Sequence, residues 1–70
     1  MNPGYRIEVF WSDEDELWIA EVPDLPLCSA HGQAPHEAVA EVEQAIEAWL
    51  DAAHATGRLI PKPSSRAALA

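Results

Sequence analysis

Apolar residues at Tyr5, Ile7, Val9 and Trp11 alternate with Arg6, Glu8 and Phe10. A period of two is that of a β-strand with one buried face. Phe10 breaks the pattern by placing an apolar ring on the outward face, so that face has something to meet. The polar run Ser12-Asp13-Glu14-Asp15-Glu16 has the length of a hairpin connection. Leu17 to Val22 then reads as a second strand, with Trp18, Ala20 and Val22 on one face and Leu17, Ile19 and Glu21 on the other. Pro23 cannot donate to a ladder and ends that strand. Pro26 holds Leu25 extended. Leu27 to Ala30 is read as a short third strand, and Gly32 as a turn that uses a positive φ.

Beyond Gly32 the period changes to that of a helix. Pro35 suits the first helical position, where its missing N–H has no partner to lose. Ala38, Val42, Ala45, Trp49 and Ala53, with Val39, Ile46 and Leu50, form one apolar face. Glu37, Glu41, Gln44, Glu47 and Asp51 form the other, and Gly57 is a natural stop. Ala34 cannot cap the first free helix N–H groups, so the entry is expected to be frayed or shifted by a residue. Leu59-Ile60 is expected to add a short terminal strand or a packing anchor before Pro61 and Pro63. The result is an α+β fold: a three-stranded antiparallel sheet with one helix packed across it, in the order β-β-β-α. Trp49 is expected at the centre of that packing. One domain is expected over residues 1–64, with a flexible C-terminal tail at 65–70.

Composition changes this picture in two ways. The chain has 70 residues, and ordering them costs on the order of 100 kcal/mol in conformational entropy. One small core offsets that cost narrowly, which favours homo-oligomerisation. The net charge is −8, from 12 acids and 4 bases, and no Lys or Arg occurs between Arg6 and Arg58. Phosphate backbones are held by clustered Lys and Arg, so this body should repel nucleic acid and steer a basic protein toward itself. No run is apolar enough to span a membrane, and no signal peptide opens the chain; a cytoplasmic protein is expected.

Candidate chemistry narrows the reading by exclusion. Cys28 is the sole cysteine, so a disulfide framework is excluded. Cys28, His31, His36 and His54 lack the paired spacing of a zinc site. Asp13-Glu14-Asp15-Glu16 lacks the alternation, glycine and distal glutamate of an EF-hand and reads as a solvated turn. Glu8 and Glu21 are placed on the same outer face, where they make a solvated or partner-facing pair rather than a two-metal nuclease centre. No catalytic, cofactor or metal residues are assigned. The outer face bearing Glu8, Phe10, Leu17, Ile19 and Glu21 mixes apolar groups with acids, which suits self-packing or docking of a basic partner.

A set of residues in order resembles the HicB-type antitoxin domain. It comprises the acidic hairpin, Val22-Pro23-Asp24-Leu25-Pro26 with Cys28 two residues on, Gly32, Glu37-Ala38 opening the helix, Ala45-Ile46, Trp49-Leu50 and Ile60-Pro61-Lys62-Pro63-Ser64. Two departures stand out. The family usually has glycine where this chain has Leu27, and Gly-Asp-Thr where it has Gly32-Gln33-Ala34. The resemblance implies a partial ribonuclease-H-like arrangement without catalysis. It also implies a partner, a small basic mRNA-cleaving toxin of the HicA type, neutralised by protein contact. Many family members carry a C-terminal DNA-binding domain; none is expected here, where the residues end at Ala70, nor any direct nucleic-acid binding. The alternatives are an orphan HicB-like homo-oligomeric structural or regulatory domain without a toxin and, third, a degenerate nuclease-like enzyme.

Overall fold

A computed structural model describes residues 3–63. The tail expected at 65–70 lies outside the described residues. The elements are β1 (Glu8–Ser12), β2 (Leu17–Glu21), β3 (Ser29–Gly32) and α1 (Pro35–Thr56). The sheet has the order β1-β2-β3 with both pairs antiparallel, and α1 packs across one face. This is the α+β arrangement expected from the periodicity.

The β1–β2 register places Val9 opposite Ala20 and Trp11 opposite Trp18 on the helix side. Ala20, Val22, Leu25, Ala38, Val42 and Ile46 are buried together with Tyr5 and Cys28. A thin core of this kind is built from small and medium side chains, with alanines at the points where sheet and helix approach. Trp49 is not at its centre, contrary to expectation. It is half-buried at the margin, where its indole N–H donates to the Pro26 carbonyl at 3.0 Å. An indole needs a partner for its N–H, and the core interior offers none. The Arg58 guanidinium lies over the same ring, 5.7 Å from its centroid.

The third strand begins two residues later than expected, at Ser29. The cause is local. Cys28 N–H donates to Leu25 O at 3.1 Å, closing a turn with Pro26 in its second position and Leu27 in its third. Leu27 has φ +64°. Proline followed by a positive φ is the signature of a type II turn, whose third position favours glycine. The family's usual glycine at this place therefore has a backbone reason, and Leu27 occupies the position under strain.

Gly32 is also corrected. Its φ is not positive; it lies at the end of β3, opposite Trp18. A methyl group built there would sit 2.6 Å from the Ala38 amide nitrogen and 2.7 Å from Glu37 Cβ. Glycine is required because the first turn of the helix rests directly on the strand.

The helix starts at Pro35 without a shift and without a side-chain cap at Ala34. Glu37 supplies a partial substitute: its carboxylate accepts the Gln33 backbone N–H at 3.0 Å. This is half of a capping box, displaced by one residue. At the other end Gly57, with φ +69°, stops the helix, and the Arg58 N–H donates back to Ala53 O at 2.8 Å. Residues 58–63 form no strand among the described residues. Ile60 is half-buried while Leu59 is exposed, and the Tyr5 hydroxyl donates to Pro61 O, so Ile60 and Pro61 form the anchor.

Candidate partner-binding surface

The sheet has two faces and the helix covers one. On the uncovered face, strand alternation brings Glu8, Phe10 and Ser12 beside Leu17, Ile19 and Glu21. The register makes Glu8 the direct partner of Glu21, and Phe10 that of Ile19. All five residues expected on this surface are thus brought together. Glu8, Phe10 and Glu21 are exposed, and Leu17 and Ile19 half-buried. The surface is an apolar strip of Phe10, Ile19 and Leu17 with two carboxylates at one end.

Two like charges directly opposite on a ladder repel. Arg6 relieves part of this, its guanidinium 3.2 Å from the Glu8 carboxylate, but both side chains are well exposed and such a pair contributes little. The local field remains negative and is open to a cation supplied from outside.

His31 and Ser29 belong to the same face and were missed. His31 is opposite Ile19, and Ser29 opposite Glu21. The period-two rule would have found both had β3 been placed at Ser29 rather than Leu27. His31 continues the row Phe10, Ile19, His31 with an exposed polar ring beside the apolar strip.

The Asp13–Glu16 turn is organised by its own hydrogen bonds. Ser12 Oγ accepts the Asp15 N–H at 3.3 Å, Glu16 N–H donates to Ser12 O at 2.8 Å, and Asp13 accepts the Trp11 indole N–H at 2.9 Å. Among the described residues no group of three or more His, Cys, Asp or Glu side chains is arranged to hold a metal ion.

The Pro23 to Cys28 segment is a hinge. Val22 N–H donates to Cys28 O at 3.0 Å and Leu25 N–H to Val22 O at 3.1 Å, so the loop folds back on itself. Leu25 and Cys28 point inward and are buried, while Pro23, Pro26 and Leu27 face solvent and Asp24 is half-buried. Burial pushes the Cys28 thiol pKa above its ordinary value, which keeps it neutral and unreactive. Gly32, Glu37 and Ala38 meet at the strand–helix contact described above. The recurring motif residues thus build the hinge and the helix seat.

A model of the HicB-like antitoxins of bacterial toxin–antitoxin systems matches residues 5–70. The chain belongs to the HicB-like antitoxin family. This HicB-like chain is also 28% identical over 57 residues to the UPF0150 protein Ta0767 of Thermoplasma acidophilum. That match covers 81% of this chain and 83% of the relative. No solved structure matches the chain significantly. Among the described residues no helix is long and apolar enough to cross a membrane.

Proposed function

We propose that this HicB-like chain is a non-enzymatic cytoplasmic antitoxin that neutralises a small basic, mRNA-cleaving toxin of the HicA type by direct contact. The observation that carries this reading is the open sheet face, where Glu8 and Glu21 stand together at one end of a strip formed by Phe10, Ile19 and Leu17. A ribonuclease toxin presents a basic surface to the RNA backbone. The two carboxylates take the place of phosphate charge, and the apolar strip supplies the desolvated contact that gives affinity. The absence of any Lys or Arg from 7 to 57 removes repulsion from the approach and speeds encounter. The same distribution disfavours direct binding of nucleic acid by this chain.

Co-expression with a neighbouring small basic protein tests it. The expected result is a stable complex and rescue of growth from the toxin; failure of both contradicts the reading. A second reading, an orphan HicB-like domain that acts as a homo-oligomer, is favoured by the exposed apolar residues of β1. It predicts self-association with no toxin present.

A further inference from the structure

Among the described residues two non-glycine residues have positive φ, Glu16 and Leu27. Glu16 is a charged residue in the solvated hairpin turn. Leu27 is apolar, sits where a type II turn favours glycine, and is the most exposed large apolar side chain of the described residues. It opposes the fold twice, in its backbone and in its hydration, and at full exposure no packing offsets either. The backbone that carries it is nevertheless fixed on both sides. The Pro26 carbonyl accepts the Trp49 indole N–H at 3.0 Å, and the Cys28 N–H donates to Leu25 O at 3.1 Å. An apolar side chain on a pinned turn has the geometry of an interface anchor, because its backbone has little freedom left to lose on binding.

The position of the turn decides what the anchor can meet. A recess of about 330 Å³ lies between Glu21, Pro23, Pro26, Leu27 and Ser29. Glu21 and Ser29 are paired across β2 and β3 on the uncovered sheet face. The recess is therefore continuous with the acidic end of that face, where Glu8 stands opposite Glu21. A partner complementary to both features offers an apolar socket edged by Lys or Arg.

We propose that Leu27 is a specificity-determining anchor for the basic toxin, inserting into an apolar socket whose cationic rim is engaged by Glu8 and Glu21. This rests on the antitoxin reading above and adds to it a contact outside the sheet. The carboxylates steer encounter and make it salt-dependent, whereas Leu27 slows dissociation. A chain with glycine at this position has the same turn and no anchor, so Leu27 discriminates among toxins by the depth of the socket they offer.

Binding kinetics on an immobilised, catalytically inactive HicA-type toxin test this. Leu27→Ala and Leu27→Gly are each expected to raise the dissociation rate about tenfold, with the association rate and its salt dependence unchanged. Leu27→Met keeps an apolar side chain of similar size and is expected to bind within about threefold of the native chain. Glu21→Gln is expected to act in the other way, slowing association and flattening its salt dependence. Circular dichroism should show every variant folded, and Leu27→Gly should resist urea better than the native chain. Greater stability with weaker binding in one variant separates an anchor from a structural residue. Unchanged dissociation of the Leu27→Ala and Leu27→Gly complexes would overturn the anchor and leave the antitoxin reading standing. No complex with the native chain would overturn both. A loss of stability in Leu27→Gly would also overturn the anchor, since the side chain would then be buried before any toxin arrives.

Discussion

Glu8 and Glu21 stand directly opposite each other on the open face of the β1–β2 ladder, two carboxylates where the fold would be better served by one. Opposed like charges on a ladder cost stability, and removing one should recover ~0.5 kcal/mol. Glu21→Gln is therefore expected to raise the thermal midpoint slightly. A fall would show that Glu21 makes a stabilising contact. Residues that oppose the fold locally tend to serve a partner.

Leu27 occupies the third position of a type II turn with φ +64°, and its side chain is fully exposed. Left-handed backbone costs a residue with a Cβ about 1–2 kcal/mol, whereas glycine adopts it freely. No packing is lost on removing an exposed side chain. Leu27→Gly should therefore stabilise the protein by ~1 kcal/mol, read by urea unfolding. A loss of stability would mean that Leu27 makes a contact in the protein's assembled state.

The strand–helix junction contains one position that is at its limit and one that is not. Gly32→Ala would force a methyl to within 2.6 Å of the Ala38 amide nitrogen, and overpacking of this kind costs roughly 1–3 kcal/mol. Two residues on, Ala34 precedes Pro35 with extended backbone and no side-chain cap. Ala34→Thr should stabilise by ~1 kcal/mol by satisfying a free N–H in the first turn. Opposite signs from two neighbouring methyl-scale changes would separate close packing from capping.

The buried Cys28 thiol has a raised pKa in the folded chain because desolvation disfavours the thiolate. Above pH 9.0, the ordinary thiol value, the unfolded chain ionises before the folded one and binds fewer protons. The contribution of Cys28 is thus fully present below that pH and is lost as pH rises through the folded-state value. Alkylation at pH 8 should be slow in the native protein and fast in urea, and Cys28→Ala should flatten the decline in stability at alkaline pH.

How much was legible in the sequence depended on whether the signal was local. The helix limits follow from Pro35 and Gly57, each of which acts on its own backbone, and both were placed correctly. The outer face was legible because successive side chains of a strand point to opposite faces, so once both strands were placed Glu8, Phe10, Leu17, Ile19 and Glu21 shared one face. His31 escaped because the turn at Leu25–Cys28 delays β3, and a leucine gives no warning of positive φ. Gly32 was recognised as special for the wrong reason, since the approach of Ala38 is a tertiary fact. The bare helix-side face of β1 was hidden for the same reason: Val9 and Trp11 have the spacing of core residues, but α1 sits over β2 and β3. Trp49 follows from a similar conflict, in which a strongly apolar ring is drawn outward by the need of its N–H for Pro26 O.

The central claim is that the acidic open face of this HicB-like chain holds a basic toxin, and calorimetric titration with a catalytically inactive HicA-type protein tests it most directly. The account predicts a saturable complex that Glu8→Gln/Glu21→Gln weakens at least tenfold while the chain stays folded. Equal affinity for wild type and the double variant would contradict it.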